Sequence, residues 1–286
     1  MARVILPLLP LLLPFVGVFA AGLGLTALQS LGILLPAASG GPTPEHYAAV
    51  LGSAAMRRSL AFTLAVSGVS ALGSVTLGTC LGYMVWRLPQ RLRQAATVYK
   101  IGLILPHAAA AFLVLLFFGQ TGLLASLANR IGLAPTPQNF PQILYAGDGL
   151  GMILAYMLKG TPFAMLMVLA VLFGFDTRLL QTAAMLGAGP LETFRRVTLP
   201  RLLPAMHSAF IILFLYAFGA FDIPFLLGES RPGMLSMRVY DIFFQQDLAE
   251  RPRAMAILTL MFGFTALFTM LYNALARRVD DRGRKL

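Results

Sequence analysis

Apolar residues dominate this chain in six long runs, over about residues 4–28, 59–86, 101–118, 149–173, 205–225 and 254–276, with polar intervals between them. A bilayer core of roughly 30 Å needs about 20 helical residues at 1.5 Å each, and most of the runs meet that length. Each is therefore expected to be a transmembrane helix, in one membrane domain covering residues 1–286. The first run is weighed against a signal peptide, because Val18-Phe19-Ala20 resembles a cleavage site. At about 25 residues it is longer than a signal core and is expected to be an uncleaved span, irregular near Pro7, Pro10 and Pro14. In the second run Thr63, Ser67, Ser70, Ser74, Gly78 and Gly82 share one helical face, which suits close helix packing and also allows a polar path. The interval between runs five and six has room for a short amphipathic helix at Val239–Gln245.

The interval 176–204 is unusually ordered for a loop. Asp176 suits an N-cap for a helix from Thr177 to Leu186, Gly187 and Gly189 break that helix, and Pro190 opens another. Glu192 and Arg196 stand four apart on the second arm, and Leu199-Pro200 is expected to end it. Two short helices meeting at a glycine corner suggest a docking surface, with a helix lying on the inner leaflet as the other reading.

Composition narrows the class. With 58% hydrophobic and 12% charged residues among 286, an all-α polytopic membrane protein is expected. The net charge of +11 suits cytoplasmic loops better than nucleic acid. If the N-terminus is cytoplasmic, fourteen of the 22 Lys and Arg fall in Arg3, 87–100, 176–204 and the tail 277–286, against seven in the opposite loops. Both termini and the hairpin are then cytoplasmic. The single cysteine, Cys80, excludes a disulfide framework, and His46, His107 and His207 are too scattered for a zinc site. No phosphate-binding G-x-x-x-x-G-K-[ST] segment is present, and no nucleophile–base pattern suggests catalysis.

Lys159 is the one ionisable residue well inside a run, beside Gly160 and Pro162. A cation at that depth needs a partner or water, so it marks a solute path, snorkels outward, or pairs with Asp222 near the end of run five. Tyr156, Lys159, Thr161 and Asp222 are the candidate pathway residues. A lysine facing the path suits an anionic or zwitterionic solute and disfavours a free polyamine.

The hairpin also resembles a known pattern. Gln181-Thr182-Ala183, Gly187-Ala188, Phe194, Val197, Leu199 and Pro200 are similar to the EAA loop of ABC importer permeases, with Gln181 and Thr182 standing where that pattern has Glu and Ala. Residues 63–89, KGTPFAML in run four and GAFDIPFLLG after run five resemble the spermidine/putrescine-type branch. The resemblance implies a type I importer fold with six spans. It also implies docking of an ATPase subunit dimer through Asp176, Gln181, Ala183, Ala184, Gly187, Phe194, Leu199 and Pro200. Further partners would be a second permease subunit, an extracytoplasmic solute-binding protein and membrane lipid. The chain itself would hold no cofactor, ATP and magnesium belonging to the ATPase. The cargo would be a small polar solute, polyamine-like, or anionic or zwitterionic as a phosphonate or amino acid is. A stand-alone secondary transporter or channel is the competing reading, disfavoured by the near absence of ionisable residues in the runs.

Overall fold

The computed structural model of the chain describes residues 9–33, 41–229, 232–245 and 247–283. Expectations for Val4–Leu8, Pro7, Pro36, Arg231 and the last three residues lie outside this set, as do the side chains of the basic tail. Among the described residues the regular structure is entirely helical, with six stretches long and apolar enough to cross a membrane.

The helices are α1 (Leu9–Ser30), α2 (Glu45–Gly52), α3 (Ala54–Arg87), α4 (Gln90–Ala95), α5 (Ile101–Ile104), α6 (His107–Phe118) and α7 (Leu123–Arg130). They continue as α8 (Leu150–Phe173), α9 (Arg178–Met185), α10 (Pro190–Thr193), α11 (Leu199–Gly219), α12 (Asp222–Leu227), α13 (Leu235–Tyr240) and α14 (Arg251–Gly283).

Two compact units form. One comprises the chain up to Leu60 together with Leu235–Leu267. Within it the backbone N–H of Thr43 bonds Leu31 O at 3.0 Å, and a hydrogen bond joins the Ser30 and Tyr47 hydroxyls. Arg57 donates to the carbonyls of Gly52 at 2.9 Å and Leu51 at 3.2 Å, satisfying acceptors that the end of α2 leaves open.

The second unit, Ala61–Met234 with Phe268 onward, is built around α8, which touches α5, α6, α11 and α12. Met152, Ala155 and Tyr156 pack with Val66, Ala111, Ala217 and Ile223. Ala164 meets Val75 and Ala209 further along, and then Val168 and Leu172 meet Leu202. Helices in lipid gain little from hydrophobic burial against one another, so close packing must carry the association. The small-residue face of α3 supplies it. Thr63, Ser67, Ser70 and Ser74 are at most 1% exposed, and Gly78 sits directly against Ala164 and the backbone of Thr161 and Met165.

Three elements depart from the sequence pattern. The run 101–118 divides at Leu105-Pro106 into α5 and α6, because the residue before proline avoids helical geometry. Pro200 does not stop the hairpin's second arm. A π-helical turn over Phe194–Thr198 widens the backbone, Leu199 N–H reaching Phe194 O, and the chain runs on into α11. That wider turn relieves the clash of the proline ring with the carbonyl four residues back. The fifth run also ends early, at Gly219, leaving Asp222 in the first turn of α12 rather than at the end of the span. The expected short helix near 239–245 is present as α13 followed by a π turn over Asp241–Gln245.

Candidate functional site

Two constructions stand out in the second unit: the hairpin 176–204 and a cavity beside Lys159. In the hairpin, Asp176 Oδ1 accepts the backbone N–H of Arg178 at 3.0 Å and so caps α9 from one residue before its N-cap position. At the other end Gly187 takes φ +81°, in the left-handed region. Its N–H reaches Ala184 O and that of Ala188 reaches Ala183 O, both at 3.0 Å, which closes the helix end in the paired-bond cap that glycine favours. Gly189 is extended, and Pro190 starts α10 where its missing N–H is no loss. Glu192 and Arg196 form an ion pair of 3.2 Å on the exposed side.

The base of the hairpin is tied to α3. Phe194 packs against Tyr83 with centroids 4.8 Å apart and ring planes inclined at 58°, and Tyr83, Trp86 and Phe175 continue the aromatic contact. The guanidinium groups of Arg87 and Arg201 lie over Tyr83 and Phe175 at 5.8 and 5.4 Å. Left facing outward are Met185, Leu186 and Leu191, at 87%, 83% and 71% exposure. Three large apolar side chains so open around a rigid corner form an unpartnered surface. Gln181 and Ala184 are exposed beside them, Ala183 and Leu199 are half-buried, and Pro200 is exposed. No residue type in the pattern singled out Met185, Leu186 or Leu191; only the turn geometry brings them together.

The cavity, of about 230 Å³, is lined by Ser70 and Ser74 of α3, His107 of α6, Tyr156, Lys159 and Phe163 of α8 and Tyr216 of α11, among others. Lys159 lies nine residues into α8, about 14 Å along its axis and so near mid-span. Its Nζ donates to Gly102 O at 3.1 Å, to Leu103 O at 3.2 Å and to Leu105 O. These acceptors are free because α5 ends at the Leu105-Pro106 break and its last carbonyls have no helical partner. The lysine thus neither snorkels nor pairs with Asp222; it caps the end of a broken helix. The His107 and Tyr216 rings lie against each other with centroids 4.6 Å apart and planes tilted by 30°, and the Tyr156 hydroxyl donates to Ala217 O at 3.4 Å.

Of the four candidate pathway residues, Tyr156 and Lys159 meet at the cavity. Thr161 turns its carbonyl toward Gly78 in the α3–α8 contact, and exposed Asp222 is outside the lining. His107 and Tyr216 were not singled out for the path. The Pro106-His107 step was the available signal for the first, and nothing in the sequence marked the second. The small-residue face of α3 packs closely against α8, and Ser70 and Ser74 on it wall the cavity. Among the described residues no cluster of His, Cys, Asp or Glu could hold a metal ion.

Residues 74–284 match the family described as binding-protein-dependent transport system inner membrane component. The chain belongs to that family. It is the membrane permease subunit of an ABC importer, a multi-pass membrane protein, with ATP hydrolysis carried by a separate subunit. This membership answers the competing reading of a transporter working alone.

Among its relatives, the molybdenum transport system permease protein ModB of Azotobacter vinelandii is 25% identical over 73% of this chain and 89% of that protein. The trehalose transport system permease protein SugA of Mycobacterium tuberculosis is 28% identical over 79% of this chain and 73% of its own length. A chain from a crystal structure of a bacterial alginate ABC transporter, in complex with alginate pentasaccharide-bound periplasmic protein, superimposes with a TM-score of 0.75. That superposition is at 20% identity over 98% of this chain and 94% of the other. An inward-facing MetNI methionine ABC transporter chain gives 0.54 at 18% identity, over 78% and 94%. These likenesses establish the type I importer permease fold. The relatives' names span several kinds of cargo and do not single out the spermidine/putrescine branch.

Proposed function

We propose that the hairpin 176–204 is the docking element for the ATPase subunits and that the solute passes the cavity at Lys159. The permease would sit in the inner membrane with both termini and the hairpin in the cytoplasm, paired with a second permease subunit and served by an extracytoplasmic binding protein. The excess of basic residues in 87–100, 176–204 and the tail supports that orientation. The observation that carries the docking role is the rigid corner itself. Its glycine cap holds Met185 and Leu186 outward while Phe194 fastens the base to α3. A displacement imposed on such a corner reaches α11 through the continuous π-turn, whereas a loose loop would absorb it.

The apolar docking surface is formed by Met185, Leu186 and Leu191, with Gln181, Ala183, Ala184 and Gly187 around it. Asp176, Phe194, Leu199 and Pro200 shape the arms instead of touching the partner. For the solute, Lys159 is the one full charge in the cavity lining, with Asp222 acting on His107, Tyr156 and Tyr216 from outside it, which favours an anionic or zwitterionic compound over the polyamine suggested by the branch resemblance. The test is co-purification of the ATPase with the full chain extracted from membranes. Leu186→Asp combined with Met185→Asp is expected to lose the ATPase at unchanged permease yield. Retention of the ATPase by that variant would remove the docking assignment.

A further inference from the structure

All three donors of the Lys159 ammonium are spent on neutral backbone carbonyls of residues 102–105, and the wall that holds them is a wall of the cavity. We propose that this cavity is a subsite for a solute bearing one anionic group, a carboxylate or a small inorganic oxyanion, and that Lys159 takes that group by releasing the carbonyls of α5. The proposal rests on the permease reading and specifies the chemistry of its solute path.

Competition between acceptors decides the exchange. An ammonium has three donors and no acceptor, so a new ligand at Nζ must displace a carbonyl. The bonds to the carbonyls are already charge-assisted by the ammonium, and an anionic acceptor adds the attraction between two full charges, which favours the anion once it has reached the cavity. The lining contributes one cation, an imidazole, two phenols and hydroxyls; Asp222 lies outside it, near enough to act electrostatically on His107, Tyr156 and Tyr216, so Lys159 is the one full charge in the lining itself. Size limits the solute as well. About 230 Å³ corresponds to roughly eight water molecules and lies below the usual range for drug-sized ligands, so a small compound fits and an extended saccharide does not.

Binding would also be felt by the backbone. The four-residue α5 is already severed from α6 at Pro106, and the lysine cap is one of the contacts that hold it on α8. Another is Gly102 seated against Pro162, where an added Cβ would come within 2.9 Å of the proline ring. Removing the cap weakens this hold, so an anion at Lys159 loosens α5 and the segment 90–100 that leads into it. Charge recognition at mid-span is thereby linked to a segment on the proposed cytoplasmic side.

The test is hydrogen–deuterium exchange of residues 101–106 in the full chain, assembled with its partner subunits in nanodiscs, with sulfate, acetate or spermidine added at millimolar concentration and matched ionic strength. Sulfate, acetate or both are expected to speed exchange in this segment, the responding anion identifying an inorganic oxyanion or a carboxylate. Spermidine is expected to have no effect. Lys159→Met is expected to raise the rate about ten-fold without any anion, the consequence of losing a charged hydrogen bond, and to abolish the anion response. Lys159→Arg should keep the response. A wild-type segment indifferent to both anions, or responsive to spermidine, overturns the proposal whatever the variants do. Co-purification of the ATPase is scored on the same preparation, so failure of the permease reading registers separately from failure of the anion subsite.

Discussion

Replacing Gly78 by alanine should pry α3 from α8. A Cβ built on Gly78 lies 2.7 Å from the Ala164 Cβ, 2.8 Å from Met165 N and 2.8 Å from Thr161 O, all well inside ordinary van der Waals contact. Two of the three obstacles are backbone atoms of a helix, which cannot rotate aside, so the helices must separate by several tenths of an ångström. Overpacking of this kind costs about 1–3 kcal/mol, against a gain of roughly 1 kcal/mol from alanine's better helix propensity. Gly68 on the same helix supplies the reference, since a Cβ there meets nothing within 4 Å. Gly68→Ala therefore keeps the propensity gain without the clash, and the difference between the two variants isolates the packing term at about 1–3 kcal/mol. Reversible unfolding of the detergent-solubilised chain by SDS, followed by circular dichroism, measures both. Equal stability of the two variants would refute the close α3–α8 contact.

At the hairpin corner, Gly187→Val should destabilise the α9 cap by about 1–2 kcal/mol, because a branched side chain resists φ +81°. The checks are faster amide exchange over 183–188 and weaker ATPase co-purification at unchanged permease yield. Glu192→Gln should change stability by less than about 0.5 kcal/mol in the same SDS titration, since its ion pair with Arg196 is exposed and intrahelical.

Much of this organisation was legible along the chain because hydropathy and caps are local. A membrane segment has to satisfy its own backbone and present apolar side chains, so span number follows from run length. The hairpin was legible for the same reason: Asp176, Gly187 and Pro190 act on backbone within a few residues of themselves. Phe194 was harder, since an aromatic in a polar interval fits an outward anchor as well as an inward contact, and Tyr83, against which it packs, is over a hundred residues away. The course of the chain through Pro200 was equally hidden, because a π-turn has no residue signature.

Sequence alone thus settled an all-helical chain with six membrane-grade runs, a capped hairpin between the fourth and fifth, and one lysine at mid-span. Tertiary structure decided what that lysine holds. Run length and polarity tell that a buried ammonium needs acceptors, but the acceptors at 102–105 arise only when Pro106 breaks the third run and α8 lies beside the break. A partner fifty residues distant in the chain is a product of helix packing, and no local pattern encodes it.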